Sequence, residues 1–427
     1  MQIKRIVVSL IGMGLLGAFV SAQADPQTDT AQTQTSFLPH VNIDGNLRLY
    51  NFWRDYSNAT PDQSAFSVGG KLNLLTDAFW NGFKVGATLY TAQPLGMNAS
   101  NPSRRDSTLP ATPITVLGQS YLQYQDKYVL VRAGNQLITT PWLNDADSRM
   151  IPATYQGIYS TVSPIKDLNF TAMRIIRFKS RIADDFSRTN VFYPTNGGSI
   201  KGLNDTASEG AAAVGSQYTY GDFNTQAWGY QFYNYGKLVY GDANYKLAAS
   251  NFVKPLVGVQ IAREWNDGSQ TLNALGLGAT NATAYGVLLG AEVGEGKLTI
   301  GYNAIPRHSH AYYRNGDFVS PYTSASDPLY TTSMVAGLVD KAAGSAIKVG
   351  AQYYLYDRQV LLKASYAKYN TTPYTPNTNE TDLDATYKFN KGKLKNLSIR
   401  GRLAVLNGNP AYGKLVYSRL MLQYDFA

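Results

Sequence analysis

The chain has 427 residues, no cysteine, 12 % aromatic residues and a formal net charge of +9, and its lysines and arginines are scattered. Nucleic-acid binding is therefore poorly supported, because it usually concentrates positive charge on one patch. Beyond residue 24 there is no run of about 20 apolar residues, so no transmembrane helix is expected in the remainder.

Residues 1–24 have the pattern of an export signal. Lys4 and Arg5 form a short positive region, Ile6 to Val20 is apolar, and Ala22-Gln23-Ala24 is a small-x-small cleavage site. An uncleaved membrane helix is the alternative, but an apolar core of about 15 residues is short for a span. We therefore predict cleavage before Asp25.

Two properties of the exported chain follow from that cleavage. Its 36 basic and 29 acidic residues give a net charge of +7, since only Lys4 and Arg5 are lost. Residues 25–40 begin with a polar stretch of low complexity, which predicts a flexible N-terminal lead.

From Val41 onward, apolar and polar residues alternate. In the first run Val41, Ile43 and Leu47 alternate with Asn42 and Asp44, a period of two that predicts a strand rather than a helix. About eighteen such segments follow one another to the end of the chain. Each has about 8 to 13 residues, which suffices for a tilted strand to cross a bilayer.

The connections between these segments tend to alternate in length. Short joins occur at 125–126, 294–295 and 357–358, although some joins in the other set (near 235 and 406–413) are also short. The long ones are 93–114, 136–153, 179–210, 266–281 and 305–345. Outer-membrane barrels combine tight periplasmic turns with long external loops, whereas a soluble periplasmic β-protein, the alternative, has no reason to alternate.

The predicted fold is all-β: a transmembrane antiparallel β-barrel of about eighteen strands over residues 41–427, with inward-folded external loops. Such a barrel places the protein in the outer membrane of a Gram-negative bacterium, in contact with lipid and lipopolysaccharide. A barrel of this size leaves a water-filled channel. The polar face of each strand then lines that channel.

Basic residues recur on the predicted inner face. In one interpretation they are a solvated wall whose charges face lipopolysaccharide or pair with aspartates. In the other they guide anionic groups through a narrow pore, where confined charges select solutes by sign. Arginine suits carboxylates because its planar fork donates to both oxygens. The candidates are Arg48, Arg54, Lys71, Lys84, Arg132, Lys348, Lys363, Arg400, Arg402 and Arg419.

The stretch 134–157 differs from its flanking strands. Pro141 and Pro152 interrupt the sheet, since proline donates no ladder hydrogen bond. We predict that this loop folds into the barrel mouth and limits what passes. Alternatively, it only caps the pore and pairs its arginine with one of its aspartates. The candidate constriction residues are Trp142, Asp145, Asp147 and Arg149.

No catalytic residue, metal site or cofactor is predicted. His308 and His310 supply only two potential ligands, and Ser309 adjoins His310 in sequence without forming a positioned pair. A barrel hydrolase acting through His310 is the alternative of a different class. We expect a channel that is not an enzyme.

Three segments resemble the OprD-type (Occ) outer-membrane carboxylate channels. The first is Gly134 to Gly157, with its Thr140-Pro141, Asp147-Ser-Arg149, Pro152 and Tyr155-Gln-Gly157 spacing. The others are Phe83 to Gly96 and the closing Gly392-Lys-Leu-Lys-Asn-Leu-Ser-Ile-Arg400. One departure is that Ala427 follows Phe426, whereas such barrels commonly end in an aromatic residue.

The resemblance implies a monomeric barrel of 18 strands, with a loose trimer as the other possibility. It also implies passive diffusion of small carboxylate-bearing solutes, such as amino acids or aromatic acids, past a ladder of basic residues. The loops that narrow the lumen in that family correspond here to 136–153, 179–210 and 305–345. By the same resemblance, Asp145 and Asp147 are candidates to contact a substrate's ammonium group. A general, weakly selective pore remains the second functional hypothesis.

Overall fold

The computed structural model of the chain describes residues 39–145, 147–188, 209–247, 250, 252–266, 279–309, 311, 316, 318, 322, 327–339 and 343–427. All of its sheet lies within the unit His40–Ala427. The predicted signal peptide (1–24) and all but the last two residues of the predicted lead (25–40) lie outside the described residues.

Eighteen strands follow one another along the described chain. They are β1 (Val41–Tyr56), β2 (Gln63–Thr76), β3 (Phe83–Gln93), β4 (Ile114–Gln125), β5 (Val129–Gln136), β6 (Thr154–Ile165), β7 (Leu168–Lys179), β8 (Ala211–Tyr220), β9 (Phe223–Phe232), β10 (Gly236–Lys246), β11 (Val253–Trp265), β12 (Asn281–Val293), β13 (Gly296–Ile305), β14 (Gly344–Leu355), β15 (Val360–Asn370), β16 (Thr378–Lys388), β17 (Leu397–Asn409) and β18 (Gly413–Phe426). In the described part, no helix is long and apolar enough to cross a membrane.

The strands form one closed antiparallel barrel. Each strand pairs with its sequence neighbours, and β1 closes the ring by pairing with β18, from Gly45 opposite Phe426 to Tyr56 opposite Leu415. Closure leaves no strand edge whose backbone groups would be unpaired in lipid. The prediction of an antiparallel barrel of about eighteen strands is confirmed.

The two faces of each strand meet different surroundings. In β1, Leu47 and Leu49 point outward, with 46 % and 36 % of their surfaces exposed, whereas Arg48 and Tyr50 point inward and are buried. Exposed leucines, valines, isoleucines and tyrosines recur around the outside. This apolar outer surface suits lipid, and the polar side chains are left facing the lumen.

Short turns join the strands at one end of the barrel and the longer connections lie at the other. We call these the short-turn end and the long-connection end. The connections used below are L2 (94–113), L3 (137–153) and L7 (306–343). β16 begins at Thr378, so Glu380 lies in the barrel wall.

Side chains of the long connections are packed inside the barrel. Trp142, Leu143 and Met150 of L3 are buried, as are Leu109 of L2 and Leu338 of L7. They contribute to one apolar cluster with inward-facing wall residues. The expected inward folding of loops is thus observed for the described parts of L2, L3 and L7.

Gly134 in β5 supports a prediction about barrel stability. Its φ is +130°, and a Cβ atom there would lie 2.2 Å from the carbonyl oxygen of Ser120 on β4. Gly134→Ala should therefore destabilise the barrel by about 1 to 3 kcal/mol. Gly401→Ala is the control, because its Cβ would meet no atom within 4 Å. Urea unfolding in detergent measures both; equal midpoints would contradict this account.

Candidate functional site

L3 crosses the lumen from one side of the barrel to the other. The backbone N–H of Trp142 donates to Tyr230 of β9 at 3.4 Å, and the Trp142 ring lies 6.5 Å from that of Tyr240 on β10. At its other end Asp147 contacts Arg48 on β1. Because β1 and β10 are nine strands apart in a ring of eighteen, L3 connects opposite walls.

Arg48 fixes the far end of L3 to the wall. Its Nη1 and Nη2 donate to the two carboxylate oxygens of Asp147 at 2.5 and 2.7 Å. Nη1 also donates to the carbonyl oxygen of Arg149 at 2.9 Å, while Nε donates to Gln423 at 3.0 Å. Paired, forked hydrogen bonds of this kind fix orientation as well as position. The wall residue Arg48 therefore places the backbone of Arg149.

The two aspartates of L3 have different environments. Asp147 uses both carboxylate oxygens on Arg48, so an ammonium group would have to compete with that guanidinium. The backbone carbonyl of Asp145 accepts from the N–H of Ala153 at 2.8 Å, a bond that closes the loop on itself. The alternative in which Asp147 pairs with Arg149 is not the arrangement observed.

A row of charged residues runs across four neighbouring strands. Lys363 of β15 lies opposite Asp384 of β16, Asp384 opposite Arg402 of β17, and Arg402 opposite Arg419 of β18. Arg419 in turn lies opposite Phe52 of β1. Directly opposed residues in antiparallel strands have neighbouring side chains on the same face. The row therefore places three cations and one acid side by side on the lumen wall.

One carboxylate serves two arginines in this row. Asp384 accepts from Nε of Arg400 at 2.9 Å and lies 3.0 Å from Nε of Arg402. Arg400 Nη2 also contacts the Asp384 carboxylate. Since a single negative charge faces two guanidinium groups, the wall keeps a positive excess at this level.

Arginines also cover two aromatic rings near the row. The Arg419 guanidinium lies 4.1 Å from the ring centre of Tyr417 and 5.1 Å from that of Phe52. Arg54 approaches Tyr417 to 4.5 Å, and Arg149 of L3 approaches Phe52 to 5.7 Å. Such stacking orients a guanidinium without neutralising it. L3 thus brings one further arginine to two that belong to the wall.

The arginines of this group differ in whether an acid faces them. Arg54 lies 3.3 Å from Asp106 of L2, whereas Arg149 and Arg419 form no ion pair in the described part of the chain. Their Nε atoms are buried and have no hydrogen-bond partner among the described residues. Burial lowers the pKa of Arg149 to about 10, and nearby Arg181 adds to this effect. A buried cation without a counter-charge is costly, so an entering anion would be favoured here.

Asp106 is the acid that L2 contributes. Although burial opposes its ionisation, Arg54 and hydrogen bonds from Tyr417 and Thr108 lower its pKa below the usual value. It is therefore ionised at neutral pH and offsets the charge of Arg54. Asp106 also acts on Arg149 and Arg419 at longer range, but neither of these arginines forms an ion pair in the described part.

The remaining predicted basic residues lie at other levels of the wall. Arg132 of β5 donates to Gln123 at 2.7 Å and stacks 4.2 Å from the ring of Tyr121. Lys348 donates to the carbonyl of Thr332 in L7. The register places Lys71 and Lys84 on the inner face too, Lys84 beside Gln123. All the predicted ladder residues therefore face inward, but only some are close together.

Of His308 and His310, the two histidines weighed as an alternative, only His308 lies in the described part of the chain. His308 lies 3.0 Å from the hydroxyl of Thr283, and His310 lies outside the described residues. Among the residues that the structure describes, no group of three or more His, Cys, Asp or Glu side chains could hold a metal ion.

Two acids of the site were missed by sequence reasoning. Asp384 belongs to an alternation of acids, Glu380, Asp382 and Asp384, that marks one face of β16. That signal is present in the sequence, but its arginine partners depend on register. Asp106 lies in L2, where no periodicity exists, and nothing in the sequence links it to Arg54.

Comparison with known proteins gives three results. A family model described as "outer membrane porin, OprD family" matches residues 125–333. A search of curated proteins found no sequence that matches the chain. Among solved structures, Pseudomonas aeruginosa OccK9 (OpdG) is similar with a TM-score of 0.75 and 20 % identity, over 90 % of this chain and 98 % of that one.

Two further structures have the same fold. P. aeruginosa OpdK with vanillate has a TM-score of 0.75 and 17 % identity, over 90 % of this chain and 98 % of its own. Acinetobacter baumannii OccAB3 has a TM-score of 0.75 and 16 % identity, over 90 % of this chain and 99 % of its own.

The closed barrel with an apolar exterior and a charged lumen is the fold of outer-membrane porins of Gram-negative bacteria. Small solutes pass through such a barrel, and outer-membrane lipid surrounds it. The predicted resemblance to OprD-type porins is confirmed, because the OprD-family model matches residues 125–333 and the solved Occ structures share the fold. The family match and the barrel fold both fit a channel that is not an enzyme.

The Arg48–Asp147 pair yields a prediction about L3. Asp147→Asn removes the charge that Arg48 binds, a loss of roughly 1.5 to 3 kcal/mol for hydrogen bonds to a charged group. L3 should become more mobile, so single-channel recordings should show more open-channel noise and a higher mean conductance. Glu295→Gln is the control, because its 3.0 Å pair with Arg358 is exposed and contributes little. A variant trace indistinguishable from the wild type would refute the role of the pair.

Proposed function

We propose that this porin is a substrate-selective channel for the passive diffusion of small carboxylate-bearing solutes. The observation that carries the proposal is the pair of buried arginines, Arg149 and Arg419, which form no ion pair with the described residues. One belongs to L3 and the other to the wall. A solute that passes between L3 and β18 meets both.

Selectivity by sign follows from confinement. In a narrow lumen with low-dielectric walls, unpaired charges raise the local concentration of solutes of opposite sign. A carboxylate would bind the two guanidinium groups through parallel hydrogen bonds. Neighbouring Arg402 and Lys363 offer the next cations along the row, so binding need not trap the solute. Transport requires sites strong enough to admit a solute and weak enough to release it.

The solute class includes amino acids and aromatic acids. Phe52 and Tyr417 line the same region and offer apolar surface beside the arginines. The solved complex of the similar porin OpdK with vanillate supports an aromatic acid as one candidate. An amino acid would need an acceptor for its ammonium group. Asp145 and Asp147 are the acids that L3 offers, and Arg48 binds Asp147.

A general, weakly selective pore is the second candidate. It is favoured by the ion pairs that neutralise much of the wall: Arg48 with Asp147, Arg54 with Asp106, and Arg400 and Arg402 with Asp384. In that case the positive charges of Arg149 and Arg419 would only balance nearby charges of the wall and would not select solutes.

Neutralising the two unpaired arginines separates these candidates. Arg149→Gln with Arg419→Gln should slow liposome swelling by small carboxylates roughly tenfold, since each lost charge-assisted hydrogen bond is worth about 1.5 to 3 kcal/mol. Swelling by neutral sugars of equal size should not fall. Arg358→Gln is the control, because that arginine is exposed beside Glu295 in the described structure.

Equal changes for carboxylates and sugars would favour the general pore. Reversal potentials in a salt gradient provide a second measurement, in which the double variant should lose anion preference while the pore stays open. Charge reversal of Arg400 and Arg402 should act in the same direction, because both face the lumen.

A further inference from the structure

The segment 327–339 of L7 lies along the inside of the barrel. Tyr330 donates through its hydroxyl to Asn244 of β10 at 3.2 Å, and the N–H of Thr331 donates to Asn303 of β13 at 3.1 Å. Leu329 and Leu338 are buried. The segment therefore covers the inner wall from β10 toward β16 and occupies lumen that would otherwise be open.

Two acids of β16 hold the end of this segment. Oε1 of Glu380 accepts from the backbone N–H of Val335 at 2.8 Å, and Oε2 accepts from that of Ala336 at 2.7 Å. Oδ2 of Asp382 accepts from the N–H of Met334 at 3.1 Å. Three consecutive N–H groups are thus bound by two carboxylates of one strand. We call this arrangement the β16 clamp.

The clamp is a costly way to hold a loop. Glu380 is fully buried, and its neighbour on the same face, Asp382, is also acidic. Nearby charges on other elements are Lys348 of β14, Arg402 of β17 and Asp327 of L7 itself. Placing two acids side by side in the wall is unfavourable unless their oxygens are bonded, and here the N–H groups of L7 bond both oxygens of Glu380 and Oδ2 of Asp382. The acids and the loop therefore stabilise each other's positions.

A further contact on β15 strengthens this arrangement. The hydroxyl of Tyr369 lies 2.8 Å from the carbonyl oxygens of both Thr331 and Ala336, within the same stretch of L7. The N–H of Ser333 donates to Ala336 at 2.8 Å, which closes a turn between them. The two acids of the β16 clamp therefore bind a compact turn of L7 rather than an extended segment.

We propose that Glu380 and Asp382 are positioning residues that keep L7 seated on the wall and so maintain the narrow state of the pore. When the clamp opens, the turn at 333–336 leaves the wall and the lumen widens. Asp384, two residues further along β16, holds Arg400 and Arg402. One strand therefore positions both the loop and part of the cationic row. This inference concerns pore width and does not depend on which solute is transported.

A double-mutant cycle on the purified full-length protein tests the clamp in planar bilayers with potassium chloride. Glu380→Gln keeps the side-chain size but replaces one acceptor oxygen with an amide N–H that faces one of the two donors. Val335→Pro removes one donor without altering any strand. Each variant should shorten the lifetime of the narrow conductance level about tenfold, the effect of one charge-assisted hydrogen bond, and populate a wider level.

The decisive measurement is whether the effects of Glu380→Gln and Val335→Pro are coupled. If Glu380 acts on L7 through Val335, the double variant should show little more than either single change, because the same contact is already lost. Glu292→Gln is the matched control, since it makes the same substitution at a residue whose partner is Lys246. Heat-dependent gel migration verifies that each barrel is folded.

Three results would overturn the proposal: unchanged gating in folded variants, fully additive effects in the double variant, or an equal effect of Glu292→Gln. If Glu380→Gln does not fold, Val335→Pro and Ala336→Pro decide alone, because both positions lie outside the strands. Loss of carboxylate preference is not measured in this experiment. Its outcome is therefore independent of the proposed solute class.

Discussion

Closure of the strand ring is the constraint on which the other features depend. A barrel in lipid must pair every backbone N–H and C=O within the sheet, and the β1–β18 pairing completes that requirement. Once the ring is closed, outward positions must be apolar and charges are directed to the lumen. Long connections then have an interior surface available, on which L3 and L7 find polar partners such as Arg48 and Glu380.

The two inward loops use opposite electrostatics. L3 presents the carboxylate of Asp147 to an arginine of the wall, whereas L7 presents backbone N–H groups to two acids of the wall. Neither attachment uses a charge of the Arg149–Arg419 group. The loops are therefore fixed without neutralising the cations that face the passing solute, so pore shape and pore charge are set by different residues.

Much of this architecture follows from periodicity and length. The alternation that begins at Val41 predicts the number of strands and the inward side of each basic residue, because side chains in strands alternate strictly. The contacts between the loops and the barrel wall cannot be predicted from this alternation. Arg48 and Asp147 are 99 positions apart, and Arg54 and Asp106 are joined only by the course of L2. Such contacts depend on loop paths, for which the sequence has no repeating pattern.

The distribution of acids determines which cations remain available. Three carboxylates offset four arginines of the lumen: Asp147 with Arg48, Asp106 with Arg54, and Asp384 with Arg400 and Arg402. Each paired arginine is held in a fixed geometry and its field is reduced. Arg149 and Arg419 form no ion pair among the described residues and are oriented by stacking on aromatic rings. The ladder of basic residues is thus not uniform, because its acids leave these two arginines without a direct partner where L3 approaches β18.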